Sequence, residues 1–293
     1  MVVDENFLIC YNFLPLTADH VIDFPKSYYE SCGVVPLHDE SHFDPMAVKT
    51  GDSIFVKTDF IVNDHFRQNV FDNINLAREF NIITGNSAYQ IGRDGGDQYK
   101  TMLFHPKIKH WFCTNPPEVK SDKIIPLPIG FEEPDRDGGS QKTLLECLNN
   151  RCDYNLKSDN IFLPYHTINT NKNRNKAVDY LKGLHFVDTQ NERRNIKDYL
   201  KIIDKYKFTI CLEGAGPDTH RNYEALLVGS VPIMKNSTIK KVFDYHSLPG
   251  IFVDSWEELN ESFFENILNE NYNFNNVENF LKAKTHINMV RGK

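Results

Sequence analysis

The sequence predicts an α/β protein built from two parallel-sheet halves, and three observations carry that prediction. Short apolar, β-branched runs alternate with helical patterns, stop, and start again, as repeated βα units require. A charged, glycine-rich stretch, Glu132 to Lys142, separates the two series. The second series contains a strand, a glycine loop and a short helix in succession, from Tyr206 to about Val228. That unit points backbone N–H groups and the positive end of a helix at one spot.

The elements follow in order. Phe7 to Phe13 reads as an opening strand, and the rest of the first fifty residues as a long irregular cover. Asp52 to Asp59 is a strand rich in β-formers. Phe60 to Phe80 carries Phe66, Val70, Phe71, Ile74 and Ala77 at helical spacing, which predicts one helix. Asn81 to Thr84 is a short strand entering the polar loop Gly85 to Gln98. A short helix, Tyr99 to His105, stops at Pro106. Ile108 to Cys113 and Ile124 to Ile129 are strands. After the linker and a helix from Thr143 to Arg151, the rhythm restarts. Asn160 to Tyr165 is a strand, Lys172 to Leu181 a helix, Leu184 to Val187 a strand and Ile196 to Asp204 a helix. Tyr206 to Leu212, Pro232 to Met234 and Ile251 to Val253 complete the second sheet. Ile239 to Phe243, Glu257 to Leu268 and Asn276 to Lys284 read as helices. The expected division is 1–140, 141–270, and a C-terminal helix at 271–293 that packs back on the first domain.

Composition narrows the function. The chain has 293 residues, 40% hydrophobic and 25% charged, as in ordinary globular proteins. A formal charge of −7 argues against a general nucleic-acid binder. The first residues lack a basic n-region, and no apolar run reaches the roughly 18–20 residues of a membrane span. The expectation is a soluble, cytoplasmic protein. The six cysteines at 10, 32, 113, 147, 152 and 211 are scattered without CxxC spacing, so free thiols are expected. An NAD-type GxGxxG fingerprint and a GxSxG elbow are both missing, which disfavours a dehydrogenase and a serine hydrolase.

The run LEGAGPDTHRNYEALLVGSVPIMK, Leu212 to Lys235, is the most informative. Gly214 and Gly216 form the loop, and Arg221 and Glu224 share a face of the helix. An arginine near a helix start suits a diphosphate, and a glutamate one turn on suits the two hydroxyls of a ribose. Together they describe a pocket for a nucleoside diphosphate carrying a sugar. Plainer readings stand beside this one. Arg221 and Glu224 could form a surface ion pair, Asp218 and Thr219 could act only as helix caps, and His220 could be a packed helix residue.

These residues resemble the C-terminal signature of exostosin-like glycosyltransferases, glycosyltransferase family 47 and its soluble relatives. That signature has a Gly-rich loop, Asp-Thr-His-Arg, a glutamate three residues on and a Gly-x-x-Pro-Ile turn, here Gly229 and Pro232. The likeness extends to LPGIFVDSWEEL, Leu248 to Leu259, and upstream to FVKTD, ITGNS, HPKIKHWFCTN and IIPLPIGFE. It implies a GT-B architecture, two Rossmann-like domains facing across a cleft, and an inverting glycosyltransferase with a UDP-sugar donor. Short members resemble enzymes of large algal viruses and bacteria, among which xylose is a candidate sugar. The acceptor would be a glycan or glycoconjugate. The resemblance places Arg174 at the pyrophosphate as a second cation, with Gly214, Gly216, Asp218, Thr219, His220, Arg221 and Glu224 around the donor. Relatives often read Thr-His-Asn-Ser-Asp where this chain has Gly85 and Ala88, so any role of those two side chains is missing here.

An inverting transfer also requires a base for the acceptor hydroxyl. Asp59 at a strand end, and Asp94 and Asp97 in the GRDGGDQ loop, are the candidates; Asp64 and His65 are further ones. Asp135-Arg136-Asp137 is a DxD triplet, which in metal-dependent GT-A transferases binds a divalent cation. Its place in a glycine-rich stretch favours a solvated turn, so no divalent metal or other cofactor is expected to be essential. A GT-A enzyme using Asp135 and Asp137, and a non-catalytic nucleotide- or sugar-binding module, are the alternatives.

Overall fold

The computed structural model describes residues 4–24, 43–74, 78–166 and 173–292. Two compact units divide the chain: Met1–Ile129 with Lys282–Lys293, and Gly130–Leu281. The first boundary thus falls at residue 130 rather than 141.

The first unit holds a five-stranded parallel sheet in the order β1 (His20–Ile22), β2 (Ser53–Lys57), β3 (Phe80–Gly85), β4 (Ile108–Cys113), β5 (Ile124–Pro126). Every residue of β2 and β3 is buried. Unbroken runs such as SIFV and FNII are what a parallel strand covered on both faces demands. Around it lie α1 (Thr58–Val62), α2 (His65–Asn69) and α3 (Tyr99–Leu103).

Two predicted elements differ here. The single helix over 60–80 is broken into α1, α2 and a 3-10 turn at Phe71–Asn73. Asp64 is the cause: its φ is +62, a left-handed backbone that an α-helix does not continue through. Its carboxylate accepts from Arg67 Nε at 2.7 Å and Gln68 Nε2 at 2.9 Å, which holds the break. Phe66, Phe71 and Ile74 still reach one core through separate turns, so helical spacing misread their geometry; Ala77 lies outside the described residues. Phe7 to Phe13 is not a strand either. Leu8 makes an isolated antiparallel bridge to Lys282, and a 3-10 turn follows at Leu14–Thr17. Burial of Leu8, Ile9, Phe13 and Leu14 explains the apolar run without a sheet. Much of the expected cover, at 25–42, is likewise outside the described residues.

The second unit is also parallel, in the order β10 (Ile251–Val253), β9 (Val231–Lys235), β8 (Tyr206–Ile210), β6 (Ser158–Leu163), β7 (Val187–Thr189). The last of these begins at Val187, where the predicted strand ended. The helices are α4 (Gln141–Asn149), α5 (Asn173–Leu181), α6 (Ile196–Ile203), α7 (His220–Leu227), α8 (Ile239–His246), α9 (Glu261–Leu268) and α10 (Val277–Leu281). Sheet growth reverses direction between β6 and β8, which makes their carboxyl ends a topological switch point, where open α/β sheets bind ligands.

The stretch Glu132 to Lys142 belongs inside this unit and is not a free linker. A Cβ on Gly138 would collide with the Glu132 carboxylate, and one on Gly139 with the Glu133 carbonyl. Gly139, whose Cβ would meet backbone, serves close packing. A final helix, α11 (Ala283–Val290), belongs to the first unit: Ala283 N donates to Phe7 O at 2.8 Å, and His286 meets Phe13 edge-on at 5.9 Å. Among the described residues, Cys10, Cys113, Cys147, Cys152 and Cys211 form no disulfide; Cys32 is not among them. Among the described residues no helix is long and apolar enough to cross a membrane.

Candidate functional site

The switch point of the second unit is assembled from two loops and two helix starts. After β8 the chain turns through residues 211–219, where Gly214 N donates to Gly216 O at 3.1 Å. Thr219 caps α7 with extended backbone, φ −138, and its hydroxyl lies 3.4 Å from Asn222 Oδ1. Asp218 fastens the same turn: its carboxylate accepts from Asn222 Nδ2 at 3.0 Å and from the Tyr223 hydroxyl. Asp218 and Thr219 therefore build the corner, with the carboxylate committed to the helix rather than turned toward a ligand.

Arg174 arrives from α5 and Arg221 from α7. Arg174 Nε donates to Glu213 O at 2.6 Å, and Arg221 Nη2 reaches Tyr165 O at 3.4 Å, so each arginine spans to the other strand's loop. Gly214 lies beside this guanidinium: a Cβ there would meet Arg174 Nη2 at 3.5 Å, an ordinary contact. The Arg174 side chain is buried, and burial, then the charge of Arg221, push its pKa down to about 10. It stays cationic at neutral pH. The i, i+3 ion pair of Arg221 with Glu224 is not formed, since no carboxylate among the described residues comes within ion-pair distance of Arg221. Burial raises the Glu224 pKa to about 7; Arg221 opposes this and Glu132 adds to it. The Tyr199 hydroxyl stands near both groups with no hydrogen bond in place, and burial keeps it neutral. His220 Nδ1 pairs with Gly130 O at 2.7 Å. Its pKa is lowered by burial against the opposing pull of that bond and of Glu132 and Glu133.

One residue here escaped the sequence reading. His166, just past β6, is 6% exposed, and its Nε2 has no partner. A single histidine in a loop carries no spacing signal. Thr170 and Asn171, ahead of α5, and Lys172 lie outside the described residues.

The first unit places Asp59 in the first turn of α1, at the carboxyl edge of β2. Its Oδ2 is buried without a hydrogen bond and lies 3.9 Å from Lys57 Nζ. Lys57 also donates to the Asn86 carbonyl. Asn86, at φ +53, keeps both side-chain polar atoms buried without partners, as does the Thr114 hydroxyl nearby. Both lie in the ITGNS and HPKIKHWFCTN segments, where the sequence reading gave them no role. Asp94 is fully engaged: its carboxylate accepts from Gln90 N at 2.7 Å and from Arg93 at 2.8 and 3.1 Å. Burial alone would raise its pKa, but these bonds outweigh it and the net shift is downward. Asp97 is exposed and paired with Lys100 at 2.8 Å. Asp64 holds the helix break, and the His65 ring lies 5.5 Å from Phe60, tilted at 43°. In the DxD triplet, Asp137 Oδ2 accepts from Ile196 N, at the start of α6, at 2.7 Å.

Residues 165–288 match the family described as the RXYLT1 C-terminal domain. Comparison with curated protein sequences finds no match. Among solved structures, the chain is similar to a UDP-GlcNAc 2-epimerase from Methanocaldococcus jannaschii at 14% identity and TM-score 0.36, over 82% of this chain and 76% of that one. It is similar to an α1,3-fucosyltransferase with GDP-fucose at 15% identity and TM-score 0.36, over 94% and 97%. The pneumococcal O-GlcNAc transferase GtfA, in complex with UDP and GlcNAc, aligns at 10% identity and TM-score 0.30, over 91% of this chain and 56% of that one.

Proposed function

We infer that this chain, an exostosin-like glycosyltransferase, takes a nucleoside diphosphate sugar as donor and grips its diphosphate between Arg174 and Arg221. The observation that carries the reading is the pair of guanidiniums converging at the switch point, close enough for one to depress the pKa of the other. Such like charges repel at some cost in stability, and a bound anion offsets it. A diphosphate supplies two or more negative charges and accepts the fork of an arginine. The α7 N-terminus adds its partial positive charge.

The chemistry follows from these groups. Transfer breaks the bond between the sugar's anomeric carbon and the diphosphate oxygen, and charge develops on that oxygen. Arg174, Arg221 and the loop amides stabilise it where water is excluded. Glu224, ionised, accepts from the ribose hydroxyls. We assign the proton of the acceptor hydroxyl to Asp59, because Asp94 is engaged by Arg93 and Gln90 and Asp97 is spent on a surface ion pair. Attack from the face opposite the leaving group inverts the anomeric carbon. Uridine is the proposed nucleoside, xylose the proposed sugar and a glycan hydroxyl the proposed acceptor. With two arginines carrying the positive charge, turnover should survive a chelator.

A thermal-shift screen of nucleotide sugars tests the donor, since a ligand that prefers the folded state raises Tm. UDP-xylose should stabilise the protein, and Arg221→Ala should lose that stabilisation and transfer at least about tenfold while its own Tm stays near wild type. Unchanged transfer in Arg221→Ala would remove the diphosphate from this corner.

A further inference from the structure

At the carboxyl edge of the first unit's sheet the chain buries a lysine. Lys57 is the last residue of β2, stands beside Gly85 of β3 in the sheet register, and is 7% exposed. A buried ammonium is costly unless charged or polar groups surround it. Such groups surround this one. The Asn86 carbonyl accepts from Nζ. The Phe24 ring centroid lies 5.3 Å from Nζ, within cation–π reach. Asp59 Oδ2 lies at 3.9 Å. The first two are themselves fixed: Asn86 follows the end of β3 at φ +53, and Phe24 packs edge-on against Phe60 at 5.2 Å. The ammonium therefore has a set position, and the carboxylate is drawn toward it. At 3.9 Å the pair attracts, yet the separation is too long for a hydrogen bond. Asp59 Oδ2, buried and without a hydrogen bond, is the oxygen turned inward. The Asp59 side chain is nonetheless 26% exposed, so its accessible part is the remainder, which includes Oδ1. Asp94 and Asp97 differ, because their cations sit at 2.8 Å and occupy the lone pairs that a base would use.

We propose that Lys57 is the positioning residue of the base: its ammonium, seated between the Asn86 carbonyl and the Phe24 ring, draws Asp59 Oδ2 inward and leaves Oδ1 facing the acceptor hydroxyl. The inference rests on the assignment of Asp59 as base. In that step the hydroxyl proton passes to Oδ1, the hydroxyl oxygen forms the bond to the anomeric carbon, and the diphosphate oxygen leaves with the electron pair of the broken bond. Lys57 touches none of these atoms. It acts by holding the carboxylate at one angle, and small misplacements of a reacting group cost rate steeply. The competing role is purely structural, with Lys57 closing the turn after β3 through its bond to the Asn86 carbonyl.

A double-mutant cycle in the full chain separates the two. The probe is UDP-xylose with water as the acceptor; UDP release gives kcat, and calorimetry gives donor affinity. Asp59→Asn should lower kcat about 100-fold or more, and Lys57→Met at least about tenfold. Donor affinity should stay within about twofold of wild type in both, since neither residue serves donor binding. Residues that act as a unit are not additive, so adding Lys57→Met to Asp59→Asn should change kcat by less than about twofold. Lys57→Gln, which keeps a polar end, replaces Lys57→Met should that protein fail to fold, with the same expectations. Wild-type kcat in a folded Lys57 variant overturns the inference and leaves Asp59 as base. Losses that multiply in the double variant overturn it too, because Lys57 would then act apart from Asp59. So does donor affinity that falls in step with kcat. Wild-type kcat in Asp59→Asn rejects the base, and the inference with it, while donor binding that persists keeps the arginine corner. Wild-type protein that binds UDP-xylose and releases no UDP overturns the inference as well, because Asp59 would then activate no water. Wild-type protein that binds no UDP-xylose rejects the donor reading on which the rest stands.

Discussion

At Glu224 the charge state is set by the fold, and stability must follow. Its folded pKa of about 7 stands above the ordinary 4.5, with burial as the main cause. A raised carboxyl pKa means that the native state holds the proton more tightly than the unfolded chain. The stabilisation is complete below pH 4.5 and is lost as pH rises through about 7. The span corresponds to on the order of 3 kcal/mol. Urea unfolding from pH 4.5 to 8 should show the wild type losing stability relative to Glu224→Gln across that window; parallel curves would show that Glu224 is not desolvated. The same residue shows what sequence could and could not deliver. Arg221 and Glu224 were legible because a glycine loop, a helix start and a spacing of three agree on one location. Their missing ion pair was not, because spacing reports which face a side chain is on and not where its charge ends. The Gly85 departure has a comparable local cause: a Cβ there would collide with Leu14 Cδ1, so the space is already filled by an apolar side chain distant in sequence.

At the scale of elements, the central strands of the two parallel sheets were the most legible parts, since unbroken apolar runs permit little else, whereas β1 (His20–Ile22) falls in the stretch read as irregular cover. Helices were less so. The 60–80 pattern failed because one left-handed residue, Asp64, splits it, and an Asp in a helical pattern gives no warning of its φ. The glycine-rich stretch after Glu132 failed differently. The stretch read as the start of an inter-domain connection, yet it folds into a close turn at Gly139 and Asp137 reaches the α6 N-terminus. An acidic side chain on an orphan helix amide contributes about 1 kcal/mol. Asp137→Ala should therefore lower unfolding free energy by about that amount and leave the transfer rate unchanged, with or without added Mn²⁺. A fall in turnover in a folded Asp137→Ala protein, or a wild-type rate that Mn²⁺ raises and this variant loses, would return the DxD triplet to the chemistry.

At the scale of the molecule, a chain of two parallel α/β units was predictable from the repeated βα rhythm; of the C-terminal segment expected to return to the first domain, Lys282–Lys293 group with it and 271–281 with the second unit. Its attachment is physical: Lys282 bridges Leu8, Ala283 donates to Phe7, and His286 and Val290 are buried. Leu8, Ile9 and Phe13 are at most 1% exposed, and they lie in a stretch with little regular structure of its own. Cover from α11 must then supply part of the burial that a strand would otherwise provide. Removing Lys282–Lys293 should expose these side chains, and each fully buried residue of this size is worth roughly 1.5–3 kcal/mol of burial. The loss is expected to be local, because regions open in cooperative patches rather than uniformly. Hydrogen exchange on the truncated protein should show faster exchange at Phe7–Thr17 and through β2, with β6, β8 and β9 of the other unit unchanged. Faster exchange spread evenly over both sheets would mean that the segment stabilises the whole chain and not the first unit alone.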